Sequence, residues 1–438
     1  MKSNVKSNVK SDTSVKSDVK SEVKSDISLH KMSLEERVNF LKKELNLSDE
    51  DAKSLSSSLD LNDADKLIEN VIGNYSLPLG IATNFIVNGK EIFIPMVIEE
   101  SSVVAAASNA AKYARETGGF KAEFSENITV GQIQLVGIED KETDQIKKQI
   151  LEKKDEIMKI ANDLNPSMVK RGGGCKNLTV ENFKTKRGNF IVIYIYFNTC
   201  DAMGANTINT ICEKLAPFLS DLTGKQYRLR ILSNYAIEKL AKATAVFKKE
   251  TVSEEVIEGI LDGYELAKVD IRRAVTHNKG IMNGIDAVGI ATGNDWRAIE
   301  SGAHAYAARN GKYQPLTYWE KNKNGDLVGK IEIPLQIGTV GGIISVHPIP
   351  KLSLKIMGVN SVKELAEIMA SVGLANNFAA LKALASEGIQ AGHMKLHAIN
   401  LVISAGAEGE IAERIAKKMI EENNISMERA RELLNENY

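Results

Sequence analysis

The chain holds 438 residues, 56 Lys and Arg against 57 Asp and Glu, a net charge of −1, and 43% hydrophobic residues. That is enough chain for two or three domains with full cores, and a charge balance that excludes recruitment of nucleic acid or an anionic membrane by a global field. Three cysteines make no paired framework and suit a reducing cytosol; with no apolar leader and no uninterrupted apolar run of membrane-spanning length, the expected location is cytoplasmic, without a membrane partner.

In chain order, residues 1–30 are a low-complexity tail in which VKSN, VKSD and VKSE recur. One valine per turn buries too little surface to offset ordering, so disorder is expected. EERVNFLKKEL reads as an amphipathic helix. Between residues 69 and 98 strand and turn signals gather, and an Asn-Gly turn joins two β-rich runs as a hairpin. SSVVAAASNAAKYARETGG reads as a buried helix, capped by Ser101 or Ser102 and closed at Gly118-Gly119. Residues 127–233 then run strand, helix, strand, strand, helix, strand, with a single helix expected over KETDQIKKQILEKKDEIMKIANDL. This is the split pattern of a ferredoxin-like unit, not a Rossmann half. Residues 234–387 read as mixed helix and glycine-rich strand or loop, with capping-box spacing at Thr251/Glu254 and Ser361/Glu364. Beyond residue 388 the pattern is helical, and its glycines are candidate hinges. The expected fold class is α+β. A large mixed α/β domain (31–126 and 234–387) carries an inserted ferredoxin-like domain (127–233) and a C-terminal helical lobe (388–438).

Several residues could carry chemistry, and each has a plain structural alternative. Lys279 is a lone ammonium among glycines and apolar residues, followed by Asp295; it is either a surface loop lysine or a cation kept for a developing anion. Asp295 could merely cap the helix that begins WRAIE. Glu99-Glu100 opens the small-residue helix, as favourable charge at a helix start or as a buried acid. DAMGAN (201–206) joins a strand to a helix, where free N–H groups suit phosphate, but such turns are common. RGGG (171–174) is equally ambiguous, and no GxGxxG or GxxxxGK[ST] fits its required context. His393 and His397 share a helix face; without HExxH or a third ligand, no metal is expected.

Taken together, ENVIGNYSLPLG (69–80), PMVIEESSVVAAAS (95–108), DAMGANTINT (201–210), RILSN (230–234), HNKGIMNGID with ATGNDWRAIE (277–300), GTVGG (338–342) and GLANNFAALKALASEGIQAGHMKLHA (373–398) resemble the soluble, class II 3-hydroxy-3-methylglutaryl-coenzyme A (HMG-CoA) reductases over residues 35–438. The resemblance implies reductive deacylation of HMG-CoA to mevalonate and CoA, a four-electron reaction that uses two reduced nicotinamides. It implies that the inserted domain is a non-Rossmann dinucleotide-binding domain and that the C-terminal lobe is a flap. The family's catalytic residues fall on Glu100 (proton donor), Lys279 (oxyanion stabiliser), Asp295 (its counter-charge) and His393 (protonation of the CoA thiolate). Its substrate-binding residues fall on Glu69, Ser102, Arg273 and Asn283. Its dinucleotide-binding residues fall on Asp201, Met203, Gly204, Ala205, Asn206 and Asn234. Asn165 stands where NADH-specific relatives carry an aspartate, which favours NADPH with NADH also admitted. Gly392 stands before His393 where a regulatory serine would be, so phosphorylation control is not expected. The family places its sites across a homodimer interface.

Three other readings accompany it. The same enzyme can run oxidatively, in mevalonate degradation. A CoA-dependent acyltransferase would use Cys175, Cys200 or Cys212 as nucleophile, though none lies in a matched motif as a reactive group. An inactive CoA-binding relative is disfavoured by the joint presence of Glu100, Lys279, Asp295 and His393.

Overall fold

The computed structural model describes residues 29–55, 59–386, 389–407 and 409–436; the repetitive tail lies outside the described residues. The helix Leu34–Glu44 forms where its amphipathic pattern predicts, opened by a capping box between Ser33 and Glu36. Strands β1 (Leu79–Val87) and β2 (Lys90–Val97) pair antiparallel as the expected hairpin. Its Asn88-Gly89 turn has φ 50° and 80°, the left-handed pair that such a turn needs.

The helix Val103–Arg115 follows, with Ala107, Ala110, Ala111 and Ala114 on its buried face. Ser102 occupies its N-cap position at φ 75° but makes no side-chain cap, so the expected capping role is not what the serine does. Strand β3 (Lys121–Phe124) leads into the inserted unit, which comprises β4 (Ile128–Ile138), β5 (Gly174–Thr185), β6 (Gly188–Asn198) and β7 (Gln226–Leu232). These pair antiparallel in the order β5-β6-β4-β7, as a split βαβ pattern demands. The helix expected as one piece breaks at Lys153 into Thr143–Glu152 and Lys154–Asp163. Ile146, Ile150 and Ile157 keep both pieces on the same small core.

Strands β8 (Leu240–Phe247), β9 (Thr317–Lys321) and β10 (Leu327–Pro334) complete a second four-stranded sheet, β3-β8-β10-β9. Against it packs the helix Val362–Ala385. By length and composition it could cross a membrane, yet it is buried nearly all round, the mark of a core helix. Phe378 stacks on Phe247 of β8 with centroids 3.8 Å apart.

Within the stretch 234–387 expected as mixed helix and glycine-rich strand or loop, the reading of Lys279 as a loop lysine is overturned: Ile271–Ala291 is one helix. Its glycines do not break it, because they admit a neighbour. A Cβ on Gly284 would stand 2.4 Å from Asn376 Oδ1 and 2.8 Å from Val372, and one on Gly373 would stand 2.8 Å from Ile285. The helix therefore crosses the core helix at very close range, which offsets the intrinsic cost of glycine, about 1 kcal/mol per residue. The Thr251/Glu254 cap is also corrected. Thr251 lies in a preceding short turn, and Ser253 caps Glu254–Val269 by accepting from Val256 N–H. Ser361 does cap the core helix. The last three helices, Ile389–Ser404, Gly409–Glu421 and Met427–Asn435, bury Val402, Ile415, Met419 and Leu433 in a core of their own.

Candidate active site

The helix Ile271–Ala291 sets out the charged groups. Asp270 caps it by accepting from the N–H groups of Arg272 and Arg273. Arg273 therefore sits in the first turn, where the helix dipole disfavours a cation. Its Nε is buried with no partner, and burial presses its guanidinium below its ordinary pKa. A buried, unpaired guanidinium donor is unfavourable unless an anion completes it. Lys279 projects further along the same helix and donates to Glu100 Oε2 at 2.7 Å. Asn283, half-buried, lies one turn beyond Lys279 on that face.

Glu100, not Glu99, meets the lysine, and it stands two residues before Ser102. The left-handed φ of Ser102 is strained for a residue with a side chain and turns the chain sharply beside the carboxylate. The Lys279 and Glu100 side chains are 59% and 37% exposed, so within one chain the lysine is not shielded from water. Of the two readings of Asp295, helix cap and counter-charge in contact with Lys279, the structure has the cap. Its carboxylate caps the helix Trp296–Ala307 and pairs with Arg297 Nε at 3.0 Å, not with Lys279. Partial burial works to raise its pKa, but the Arg297 hydrogen bond and the Ala298 N–H outweigh it and hold it below its ordinary value. The counter-charge in contact with Lys279 is Glu100. Glu69 is exposed and joins neither group within one chain. His393 lies on Ile389–Ser404, its side chain outside the described residues, and His397 is exposed.

Two residues inside the lysine motif were not singled out from the sequence, His277 and Asn278, and both are buried. His277 Nε2 meets Thr317 Oγ1 at 2.6 Å, Thr317 donates to Asn377 Oδ1, and Trp319 Nε1 donates to the same oxygen. Asn278 bridges Gln314 and Leu316 backbone. Burial first, and the nearby Arg273 charge second, push His277 down to about 3, so it is a neutral anchor. Residues two apart on a helix lie about 200° around its axis; reading the segment as helical would have assigned His277 and Lys279 to opposite faces.

The second half of the site is backbone. Asp201, Met203 and Gly204 lie between β6 and the helix Ala205–Thr223, with Ala205 and Asn206 in its first turn. Asn127 Nδ2 donates to the carbonyls of Cys200 and Ala202. Thr339 N–H donates to Asp201 O, and Thr129 Oγ1 to Met203 O. The Asp201 carboxylate accepts from Val362 N–H at the start of the core helix. With its carbonyls bonded inward, this turn leaves N–H groups of the helix start for an anion. Gly204 has φ 98°, and a Cβ there would lie 2.5 Å from Thr129 Oγ1. Gly338 of GTVGG comes as close, 2.5 Å from its added Cβ to Met203 N. RGGG abuts the same place: a Cβ on Gly173 would stand 2.6 Å from Asn198 O and 2.9 Å from Cys200 Sγ. Asn165, just upstream, has an amide nitrogen buried without a partner. Asn234 is exposed on the link into β8.

Two of the three cysteines, Cys175 and Cys212, are sealed in the core of the inserted unit. Burial pushes Cys175 up to about 11 and Cys212 up to about 12. Both are thiols at neutral pH, unsuited to nucleophilic acyl transfer.

Comparison with known proteins shows the family. The hydroxymethylglutaryl-coenzyme A reductase family profile matches residues 33–398. A 3-hydroxy-3-methylglutaryl-coenzyme A reductase of Archaeoglobus fulgidus is 51% identical over 407 residues, covering 92% of this chain and 93% of the relative. A probable reductase of Borreliella burgdorferi is 41% identical over 378 residues, 84% of each chain. Among solved structures, the Streptococcus pneumoniae reductase superposes with a TM-score of 0.80 at 42% identity, covering 94% of this chain and all of that one. The class II enzyme of the same organism, bound to NADPH in open conformations, gives 0.78 at 42% identity over 92% of this chain and 99% of that one. On this profile, these identities and this superposition, the chain belongs to the hydroxymethylglutaryl-coenzyme A reductase family, in its class II branch.

Proposed function

We propose that this chain reduces HMG-CoA to mevalonate with Lys279 as the cation that meets the developing oxyanion. The observation that carries the proposal is the Lys279–Glu100 contact of 2.7 Å, on the helix that also holds the unpartnered Arg273 Nε. Nicotinamide, when bound, supplies the hydride. The chain's own groups do the rest. The Lys279 ammonium stabilises the thioester oxygen as it becomes anionic. Glu100 acts in its protonated form: it gives its proton to the mevaldehyde oxygen as the second hydride arrives and is left as the carboxylate that pairs with Lys279. Arg273 and Asn283 hold the substrate's free carboxylate and hydroxyl side, with the guanidinium suited to a bidentate carboxylate. Ser102 and Glu69 border the same space. Asp295, fixed at its helix start, adds negative potential that offsets desolvation of the lysine when substrate closes the site. His393 on the C-terminal lobe protonates the departing CoA thiolate.

The turn at Asp201–Asn206, with Asn234 and the RGGG corner, takes the dinucleotide. Its inward-bonded carbonyls and close-packed glycines fit a pyrophosphate that must approach backbone. NADPH is the favoured reductant: Asn165 brings a spare amide donor where a carboxylate would repel a 2′-phosphate, and a relative 42% identical to the chain is described with NADPH bound. The working assembly is a cytoplasmic homodimer. Ile68, Ile72 and Tyr75 stand exposed on the stretch before β1, and Val269, Ile271 and Val275 at the start of the lysine helix. A second copy laid over them would shield Lys279.

The test follows NADPH absorbance upon adding HMG-CoA. Lys279→Ala should remain folded, bind NADPH, and lose activity by about 10²–10³-fold or more; undiminished oxidation refutes the assignment. His393→Gln should slow thioester reduction far more than reduction of free mevaldehyde, and equal losses would remove its role at the thiolate.

A further inference from the structure

Lys239 is fully buried, among the largest such side chains in the protein. A lysine without water is costly unless it is needed where it lies. Its Nζ donates to Met203 O at 2.9 Å, the carbonyl that Thr129 Oγ1 also bonds. Its backbone is held by the other domain: Lys239 O accepts from Leu335 N–H, and Lys239 stands directly before β8. One side chain thus spans from the sheet that supports the lysine helix to the turn assigned to the dinucleotide. Neighbouring Glu238 has a buried carboxyl oxygen without a partner, so it does not hold the ammonium in a direct pair. Burial pushes Lys239 down to about 7. Among the described residues, the hydrogen bond to Met203 O is the interaction this desolvated group makes with the turn.

We propose that Lys239 is a positioning residue for the dinucleotide: by holding the Met203 carbonyl from the large domain, it aims the free N–H groups of the turn and sets their place relative to Lys279. The other bonds that hold the turn's carbonyls and the Asp201 carboxylate come from Asn127, Thr129, Thr199, Thr339 and Val362. Asn127 directly precedes β4, Thr129 lies at its start and Thr199 directly follows β6, all within the inserted unit. Lys239 is the side chain that links the turn to β8, and carbonyl orientation fixes N–H orientation because the peptide unit is planar. A flattened or rotated Met203 peptide would weaken pyrophosphate binding and misplace the nicotinamide without touching the HMG-CoA side. This proposal rests on the turn being the dinucleotide site.

The test uses the full-length enzyme and steady-state kinetics with each substrate varied. Lys239→Met keeps length and removes the donor. The expected result is a roughly tenfold or larger rise in KM for NADPH with KM for HMG-CoA within about twofold. Lys239→Gln, which keeps a donor, should recover part of that loss, and it decides the matter should the methionine variant not fold. An unchanged NADPH KM in a folded variant overturns the proposal. So does an equal rise in both KM values, which marks a merely structural residue. Gly204→Ala separates the two layers. If it leaves NADPH affinity intact, the turn is not the dinucleotide site. If it weakens NADPH while both Lys239 variants do not, only the role of Lys239 falls.

Discussion

The two halves of the site are built on opposite principles. The turn proposed for the dinucleotide is made of backbone, and its carbonyls from Cys200 to Met203 are bonded within one chain. The substrate half is made of side chains, and it is open within one chain: Lys279 is largely exposed, Arg273 Nε has no partner, and Asp295 faces Arg297. A backbone site is complete once the local chain folds, because its polar groups are fixed by the turn that carries them. A side-chain site depends on what is laid over it, since shielding from water decides how strongly a cation acts. The chain is thus expected to bind its dinucleotide as a single copy and to need a second copy for chemistry.

The contrast can be broken in order of effect. A charge placed on the exposed stretch, Ile72→Asp, should yield a monomer by sedimentation with activity down by about 100-fold or more, at the scale of losing one preorganised catalytic interaction. NADPH affinity, read by fluorescence, should hold; its loss would show that both halves need the partner. Gly204→Ala should do the reverse. A left-handed alanine costs about 1–2 kcal/mol, and the contact with Thr129 adds to it, so NADPH affinity should fall about tenfold while the dimer persists. Asn165→Asp sharpens the picture within the dinucleotide half. It should weaken NADPH relative to NADH by about tenfold, the scale of one unscreened charge pair near the surface, and an unchanged ratio of initial rates would remove Asn165 from the specificity argument.

The smallest effect concerns the helix that carries Lys279. Asp286 faces Glu300 of the following helix, and burial first, with the Glu300 contact second, raises its carboxyl far above the ordinary range. The pair holds a proton that the unfolded chain would release. The folded pKa is raised, so this contribution is complete in acid and is lost as pH climbs through the folded value. Asp286→Asn keeps a donor and cannot ionise. As pH rises from the ordinary carboxylate range to the raised folded value, its Tm should fall less steeply than that of the parent, and identical slopes would show that the pair holds no shared proton.

Much of this was readable from residues alone. The hairpin at Asn88-Gly89, the alanine helix ending at Gly118-Gly119 and the split βαβ order of the inserted unit rest on local chemistry, and the structure has all three. The lysine segment misread because its glycines look like breakers in isolation. They are close-packing positions, and nothing nearby in the chain announces Asn376 or Val372 as the neighbours. His277 and Lys239 were passed over for a related reason. A histidine or lysine carries no local mark of burial, which depends on what arrives from elsewhere.

By itself the sequence determined the residue types on hand, a cation and carboxylates in motif context and a glycine turn at a helix start, because these follow from near neighbours and their spacing. Only the tertiary structure decided that Lys279 meets Glu100, 179 positions away, that Asp295 turns to Arg297, and that Lys239, directly before β8, reaches Met203. Which charges touch is settled by the crossing of helices and the joining of domains, and those depend on packing summed over the whole chain.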